Sequence, residues 1–481
     1  MKKRILSILL ILCMLMAPAV VMAEENASTN EDIIASYSGD MQKYIIKLYA
    51  KTLASNYYYG VEDEELLYSV ICNVIEEGKL DLNSAIRAMV ETLGDEYAEF
   101  YTPEEYKSFT EDISGEFSGI GVTINENKDG VVILSVFENG PAYKAGMMPY
   151  DYIVGVDGAD VRGKSSEEIR ELIVGEKGTE VKVTVLRAGK EIELTCIRDT
   201  VEVSQIETKM ITDKIAYIKL IQFTSNAPDE MRAVVENLRE KNVKNVIFDL
   251  RDNPGGDLNA AIEMANIFIS AGDIIEIRYK DEKHNTMIKS DNYNAPKFKM
   301  LVLMNEYSAS ASEFLATAIQ SRGAGKVLGV QSYGKGSLQS VSNAVGGAGF
   351  KYTVGEFYSF KGQRVHTIGV TPDFVVENEY IEVDMSQLEP IDIDVALENL
   401  RDENNVLALE QRLKLFGYLP EADGIYDEET KDAVARFQAM LGYSVTGEVS
   451  IYEYIFLNDY NYDDIVIPVD KQMEAAIKYF S

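Results

Sequence analysis

The spacing of apolar residues changes several times along this chain of 481 residues, and no single domain accommodates all of the patterns. Apolar residues recur with helical spacing over residues 38–110 and again over 403–460. Short β-runs separated by turns fill residues 112–200, whereas strands and helices alternate over 201–376. The polar, acidic stretch 377–402 is typical of a linker. These patterns predict a multidomain α/β protein with a helical N-terminal region, a β-rich domain before an α/β core, and a small three-helix C-terminal domain.

The overall charge excludes one large class of function. The chain carries 46 Lys and Arg against 79 Asp and Glu, which gives a formal net charge of −33. Such a surface repels nucleic acid, and the sequence has no basic stripe that offsets the repulsion. Apolar residues make up 46% of the chain and aromatic residues 10%, which is the composition of folded protein rather than of a disordered chain.

The first 23 residues have the organisation of an export signal. Basic residues at positions 2–4 precede an apolar stretch over 5–16, and Pro18 and then small residues up to Ala23 follow. This pattern predicts a signal peptide, residues 1–23, that is removed after Ala23. We therefore expect an exported protein at the outer face of the membrane or in the cell wall. The alternative is a retained anchor, because the apolar stretch approaches the length of a membrane span.

The β-rich region begins with the sequence Gly-Ile-Gly-Val and has one amphipathic helix near its end. In this order of elements residues 112–200 resemble a PDZ domain, although Tyr150 stands where such domains usually carry glycine before an aspartate. The resemblance implies a domain that binds an apolar polypeptide C-terminus by adding it to the sheet as a strand. The alternative is that the same residues only form the domain core. The residues expected to hold and line a bound tail are Gly119, Ile120, Gly121, Val122, Ile169, Leu172 and Ile173.

A run of serines follows a strand and opens a helix within the α/β region. Ser308, Ser310 and Ser312 come after the apolar strand 300–304. A strand–turn–helix junction can present a nucleophile at a sheet edge, and the free N–H groups of the helix start can hold an oxyanion. The alternative is a plain capping box, in which Ser310 and Glu313 only bond to backbone N–H groups at the helix start.

A lysine between two glycines, Lys335, follows the next strand, 327–330. It can act as a base only if its pKa falls well below ~10, and burial in an apolar setting has that effect. If the chain is extended here, Lys335, Ser337 and Gln339 project from one face, so that the Gln339 amide can orient the amine. The alternative is a solvated loop lysine, which is the commoner role of a Gly-Lys-Gly sequence.

Together, Ser-Ala-Ser-Ala-Ser-Glu at 308–313 and Tyr-Gly-Lys-Gly-x-x-Gln at 333–339 resemble the C-terminal processing peptidase family. The resemblance covers residues 38–376, with the PDZ-like domain preceding the peptidase core and the N-terminal region packing on that core. It implies a serine endopeptidase with an acyl-enzyme mechanism, acting on proteins with unfolded C-terminal tails. No metal ion or organic cofactor is implied.

The same resemblance assigns roles to individual residues. Ser310 is the implied nucleophile, Lys335 the general base and Gln339 its support. The implied oxyanion hole consists of the backbone N–H groups of Gly255 and Ala311, and glycine suits a backbone that must approach a substrate carbonyl closely. In the family a basic residue after the PDZ helix couples tail binding to activation. Val174 stands at that place here, which leaves the coupling open.

Two competing hypotheses concern the activity itself. The chain has two histidines, His284 and His366, and His366 on a strand is the alternative base for a serine hydrolase. The other alternative is a catalytically inactive, wall-associated adaptor that retains only the PDZ-like function. The complete set of Ser310, Lys335 and Gln339 argues against the inactive adaptor, and a histidine in the setting of His366 is more often structural than catalytic.

The C-terminal pattern over residues 403–460 also resembles a known module. The sequence FGYLPEADGIYDEETKDAVARFQAMLGY is similar to part of a three-helix peptidoglycan-binding domain, which implies peptidoglycan as a partner. At the other end of the chain, the helical region 38–110 is a candidate surface for forming a homodimer.

Overall fold

The computed structural model describes residues 39–481, apart from 78–80, 115, 128–129, 139, 188, 203, 442 and 463–464. The predicted signal peptide, 1–23, lies outside the described residues. In the part that is described, no helix is both long and apolar enough to cross a membrane. The architecture confirms the predicted multidomain α/β class, with N-terminal helices, a PDZ-like domain before the core, and a helical region near the C-terminus.

The N-terminal region packs on the α/β core through the apolar faces of its helices. Leu53 and Ile86, which lie on the repeating apolar face, are buried against Phe350 and Tyr352 of the core. The elements of this region are α1 (Gly39–Asn56), α2 (Asp63–Glu77), α3 (Leu82–Thr92), β1 (Glu99–Tyr101) and α4 (Pro103–Ser114). Strand β1 pairs with a core strand, Glu99–Tyr101 with Gly349–Lys351, so the region also joins a core sheet.

The PDZ-like domain is a sheet with one helix packed on it. Its elements are β2 (Glu116–Gly119), β3 (Val122–Asn127), β4 (Gly130–Val136), α5 (Pro141–Ala145), β5 (Tyr152–Val156), β6 (Ala159–Asp160), α6 (Ser166–Ile173), β7 (Glu180–Arg187), β8 (Lys190–Ile197) and β9 (Asp199–Glu202). The strand order is β3-β4-β5-β7-β8, with β6 beside β5, so β3 is an edge strand. Helix α6 begins with a capping box formed by Ser165 and Glu168. Strands β2 and β9 pair antiparallel where the chain enters and leaves the domain.

Two sheets form the α/β core. Its elements are β10 (Ile206–Thr212), β11 (Ile215–Leu220), α7 (Ala227–Glu240), β12 (Asn245–Asp249), α8 (Leu258–Phe268), β13 (Gly272–Tyr279), β14 (Thr286–Ser290), β15 (Lys299–Met304), α9 (Ala311–Arg322), β16 (Gly325–Gly329), β17 (Ser337–Asn343), β18 (Gly349–Ser359) and β19 (Phe374–Val375). The first sheet has the order β10-β11-β12-β15-β16-β19 and is parallel from β11 onwards. Because the carboxyl ends of β12 and β15 are adjacent, the loops that follow these strands meet at one sheet edge. The second sheet is antiparallel and contains β1, β18, β13, β14 and β17.

The parallel sheet is buried on both faces. Val246 and Phe248 of β12 point into the cluster formed with helices α7, α8 and α9. The intervening residue, Ile247, points to the opposite face, as do Leu301 and Leu303 of β15. That second face is covered by a helix at the end of the chain, which explains why these strands are continuous apolar runs.

The C-terminal helical domain is attached to the core at both of its ends. The elements are β20 (Glu379–Glu382), α10 (Ile393–Glu398), α11 (Glu403–Leu415), α12 (Glu428–Leu441), α13 (Ile451–Asp459), β21 (Val466–Val469) and α14 (Lys471–Phe480). Strand β20 pairs antiparallel with β21, and α14 then lies on the second face of the parallel sheet, with Ala476 fully buried. The segment 377–402, predicted as a linker, contains β20 and α10, and Ala396 of α10 is buried in the helical domain. This segment has few apolar residues among many acidic ones, so its sequence does not predict β20 or α10.

The PDZ-like domain also contacts the C-terminal helical domain. Val132 of the PDZ-like sheet is fully buried against Ala435 of α12. Tyr150 has a φ of 71°, and its hydroxyl donates to the Asp432 carboxylate at 2.7 Å. The left-handed conformation costs a non-glycine residue about 1 kcal/mol or more. Tyr150, a departure from the PDZ pattern, therefore serves this domain–domain contact.

We predict that Ala476→Asp destabilises the core by about 3 kcal/mol or more, because it buries an unpaired carboxylate against the parallel sheet. Urea unfolding followed by circular dichroism measures this change. The matched control is Lys478→Asp, which places the same group on the exposed side of α14 and should change the free energy of unfolding by no more than about 1 kcal/mol. Equal stability of the two variants would show that α14 does not cover the sheet.

Candidate active site

Ser310 occupies the turn between β15 and α9 in a backbone conformation that non-glycine residues seldom adopt. Its φ is 55° and its ψ is −112°. A strained serine at a strand–helix junction is typical of a nucleophile held at a sheet edge. The neighbouring serines are fully buried and have other partners. Ser308 Oγ donates to the Leu250 carbonyl (2.8 Å), and Ser312 Oγ donates to the Asn253 carbonyl (3.0 Å), which leaves Ser310 as the available serine of the three.

Lys335 lies in the loop before β17, with its amine 4.6 Å from the centre of the Tyr97 ring. Burial lowers the pKa of Lys335, and the nearby positive charge of Lys351 lowers it further. The groups that oppose this pKa shift are the carboxylates of Asp95, Glu313 and Glu96. The amine is thus covered by an aromatic ring from the N-terminal region. Within the described residues, no hydrogen bond joins it to the Ser310 hydroxyl.

Glu313 connects the serine to the lysine. Its fully buried carboxylate accepts hydrogen bonds from the N–H groups of Ser310 (2.9 Å), Gly334 (2.6 Å) and Lys335 (2.7 Å). The Ser332 hydroxyl donates a fourth hydrogen bond (2.6 Å). Burial raises the pKa of Glu313, while the four donors stabilise the charged form and oppose that rise. From the sequence, Glu313 is expected only as a helix cap, but the residue also holds the lysine loop.

Gln339 lies in β17, and no hydrogen bond joins it to Lys335 among the described residues. Its amide donates to the hydroxyls of Ser337 (3.0 Å) and Thr353 (3.2 Å). We expected Lys335, Ser337 and Gln339 to share one face of an extended strand. Ser337 and Gln339 do share a face of β17, since their side chains are hydrogen-bonded, and the extra residue in the pairing with β18 lies on β18. Lys335 lies in the loop before β17, so the alternation of the strand does not fix the direction of its side chain.

Gly255 and Ala311, the implied oxyanion hole, lie side by side next to Ser310. A Cβ placed on Gly255, whose φ is 107°, would be 2.8 Å from Ser310 Cβ and 2.9 Å from the Ala311 nitrogen. Only glycine therefore fits at this position. The Ala311 N–H belongs to the first turn of α9, where intrahelical acceptors are lacking. The Gly255 N–H, in contrast, donates to the Asn253 side chain (2.9 Å), so it must reorient before it can bind an oxyanion.

The implied tail-binding residues of the PDZ-like domain fall into two groups. Ile120, Ile169 and Ile173 are buried in the domain core, which agrees with the alternative of a structural role for them. Leu172 lies on the exposed side of α6, 42% accessible to solvent. The remaining residues precede or begin the edge strand β3, and they are Gly119, Gly121 and Val122. In the described sheet β3 has a strand partner on one side only, so its other edge is the place where a tail could add.

A basic residue does lie at the end of the PDZ helix, but it is not adjacent in sequence. The Arg198 guanidinium donates to the carbonyls of Ile173 (2.6 Å) and Leu172 (3.1 Å) at the C-terminus of α6. A Cβ on Gly175 would be 2.7 Å from Arg198 Nε, so glycine leaves room for this contact. The sequence pattern pointed to Val174 and gave no signal for Arg198, because Arg198 comes from the junction of β8 and β9.

His366 lies near the lysine without contacting the serine. Its Nε2 is 2.9 Å from the Tyr59 hydroxyl, and its ring packs edge-on against Tyr97. Burial lowers the pKa of His366. No hydrogen bond joins His366 to Ser310 in the part of the chain that the structure describes. Within the same part of the chain, Lys335 likewise has no hydrogen bond to the Ser310 hydroxyl, but the Glu313 carboxylate binds the backbone N–H groups of both Ser310 and Lys335.

Three stretches of the chain match known families. Residues 214–376 match peptidase family S41, residues 118–197 match the PDZ domain, and residues 402–451 match a peptidoglycan-binding domain. Over 397 residues the chain is 31% identical to the carboxy-terminal processing protease CtpA of Bacillus subtilis, and the match spans 82% of this chain and 81% of that protein. The chain belongs to the carboxy-terminal processing protease family. This result confirms the resemblance found in the sequence.

Two further matches have similar names. The chain is 32% identical over 374 residues to a "Probable CtpA-like serine protease" of Staphylococcus haemolyticus, and the match covers 77% of this chain and 74% of that protein. The solved structure titled photosystem II D1 C-terminal processing protease is 23% identical, covers 77% of this chain and 99% of that chain, and has a TM-score of 0.44.

We predict that Glu313→Gln lowers kcat by about 10- to 100-fold with little change in KM. The substitution removes charge-assisted hydrogen bonds, each worth about 1.5–3 kcal/mol, that hold the serine and lysine loops. Steady-state cleavage of an unfolded protein with an apolar C-terminal tail measures both constants. The control is Glu306→Gln, an exposed glutamate in the same loop. Equal kcat values for the two variants would refute the positioning role of Glu313.

Proposed function

We propose that this S41 peptidase is an exported endopeptidase that cleaves unfolded proteins with apolar C-terminal tails through an acyl-enzyme. Ser310 is the nucleophile and Lys335 is the general base. The observation that carries the assignment is the Glu313 carboxylate, which binds the backbone N–H groups of both residues and so keeps their loops together.

In the proposed reaction, neutral Lys335 accepts the hydroxyl proton of Ser310 while Ser310 Oγ attacks the peptide carbonyl. The N–H of Ala311, and that of Gly255 once it has turned from Asn253, bind the oxyanion. Lys335 then donates the proton to the leaving amine, and it activates the water that hydrolyses the ester. A side-chain movement of Lys335 towards Ser310 precedes the attack, because the two groups are not hydrogen-bonded at rest.

Gln339 acts on this site indirectly in the proposed mechanism. Its hydrogen bond to Ser337 fixes the first residue of β17, and the lysine loop ends there. Gln339 therefore supports the backbone that carries Lys335, without adding a charge that would raise the pKa of the amine.

The accessory regions suggest where the enzyme works. The edge of β3 receives the substrate tail, and the C-terminal helical domain holds the enzyme on peptidoglycan. Both roles require an exported protein, as the pattern of residues 1–23 suggests. Exposed apolar side chains on α1 and α2, among them Tyr44, Tyr68 and Ile71, form the surface proposed for a second copy of the chain.

We predict that Ser310→Ala and Lys335→Ala each lower kcat/KM by about 1,000-fold or more, since each removes a group that acts directly on the reacting atoms. Cleavage of the unfolded, apolar-tailed protein is the assay. His366→Gln is the matched control and should retain activity within about 10-fold. Activity in Lys335→Ala combined with its loss in His366→Gln would instead favour a histidine-based hydrolase.

The inactive-adaptor alternative predicts a different set of results. An adaptor would bind the tailed protein but show no cleavage in the wild type, and Ser310→Ala would change nothing. Cleavage by the wild type that is abolished in Ser310→Ala excludes this alternative.

We predict that kcat/KM rises with pH along a limb whose midpoint lies below the pKa of a free lysine. Burial disfavours protonated Lys335, so the neutral base forms at a lower pH than it would in solvent. The groups that face the amine and modulate this value are Asp95, Glu96, Glu313 and Lys351. A pH–rate profile measures the limb, and His366→Gln should leave it unchanged. Loss of the limb in that variant would assign it to His366 instead.

A further inference from the structure

Residues 465–481 return from the C-terminal helical domain to the peptidase core. The S41 match ends at residue 376 and the peptidoglycan-binding match ends at 451, so neither match covers this segment. Its strand β21 pairs with β20, and its helix α14 covers the parallel sheet. The helix begins at Asp470, whose carboxylate accepts the Met473 N–H at 2.8 Å and so forms the N-cap.

Asp470 also binds a nearly buried arginine of the core. Arg251 Nη1 donates to Asp470 Oδ1 at 2.7 Å and to Gln472 Oε1 at 3.3 Å. The remaining donors of the guanidinium bind both carboxylate oxygens of Asp249, at 2.7 to 3.1 Å. The side chains of Arg251 and Asp249 are 12% and 2% exposed, so solvent screens that pair little, whereas the Asp470 side chain is 43% exposed. Arg251 thereby links the end of β12 to the start of α14.

The loop that follows Arg251 forms one wall of the active site. Two residues further on, the Asn253 carbonyl accepts hydrogen bonds from the Ala309 N–H (3.1 Å) and the Ser312 hydroxyl (3.0 Å). These partners lie on either side of the nucleophile, Ser310. A displacement of the Arg251 backbone would therefore also displace Asn253, which is hydrogen-bonded to the turn that carries Ser310.

We propose that Asp470 is a positioning residue for the reaction: through Arg251 it holds the Asn253–Gly255 loop beside Ser310. This inference rests on the proposed function of Ser310. Asp249 is only two residues from Arg251, so that pair fixes the side chain relative to its own strand. Asp470 supplies the anchor from a different element, and the loop needs such an anchor because small displacements of oxyanion donors lower the rate.

The test uses Asp470→Asn in the full-length chain. Asparagine caps helices as well as aspartate does, so the variant keeps the start of α14 and removes the negative charge that binds Arg251. The matched control is Asp402→Asn, the N-cap of α11, whose carboxylate, among the described residues, binds only backbone N–H groups of its own helix. We expect kcat to fall about 10-fold in Asp470→Asn, with KM and melting temperature as in the control.

A double-mutant cycle tests whether the effect passes through Arg251. Adding Asp470→Asn to Arg251→Gln should cause no further loss of kcat, because the partner is already absent. If Arg251→Gln does not fold, Asp470→Ser replaces the cycle, since serine also caps helices but carries no charge. Asp470→Ser must then show the same fall in kcat as Asp470→Asn.

Three results would overturn the inference: a kcat of Asp470→Asn equal to that of the control, a change confined to KM, or losses that add fully in the cycle. Ser310→Ala is measured in parallel. If Ser310→Ala remains active, the proposed function itself is wrong. If Ser310→Ala is inactive while Asp470→Asn matches the control, only the role of Asp470 is wrong.

Discussion

The geometry of the candidate active site depends on one buried carboxylate. Glu313 lies in the first turn of α9, away from solvent, and is surrounded by four hydrogen-bond donors from two separate loops. A buried carboxylate without partners would lower the stability of the fold by several kcal/mol. Glu313 therefore needs these four donors, and the loops that carry the donors need Glu313 to hold them together. The strained backbone of Ser310 is one of the features that this network stabilises. Catalytic geometry and local stability therefore have a common origin.

The parallel sheet imposes the second constraint. Its central strands are apolar on both faces, so each face requires a cover. Helices α7, α8 and α9 cover one face, and the helix at the end of the chain covers the other. The peptidase core is thus completed by residues beyond the peptidoglycan-binding match, which ends at 451. This arrangement places the C-terminal helical domain between two segments of the core instead of at a free end.

The PDZ-like domain and the C-terminal helical domain meet at a contact that uses an unfavourable backbone conformation. Tyr150 adopts a positive φ, and its hydroxyl binds Asp432 of the other domain. Burial and the nearby Asp432 raise the pKa of Tyr150. A feature that looked like a departure from the PDZ pattern is therefore explained by the neighbouring domain.

The local patterns of the sequence were sufficient for the domain classes, the order of the elements and the serine–lysine motif. Helical spacing, β-runs and the capping box of Ser165 depend on residues close together in the chain, and short-range physics determines them. The motifs around Ser310 and Lys335 were likewise sufficient to find the family resemblance. The irregular pairing of β17 with β18 beside Gln339 could not be predicted from the sequence, because it depends on how the two strands pair.

Only the tertiary structure decided the contacts between residues that are far apart in sequence. Glu313 binds a loop about twenty residues away, Arg198 caps a helix that ends before Val174, and Arg251 pairs with Asp470 across two domains. No spacing rule predicts such pairs, since they arise when sheets and helices bury their apolar faces and bring polar groups together. By itself, therefore, the sequence determined the family and predicted which residues carry the chemistry, whereas packing determined which residues hold them in place.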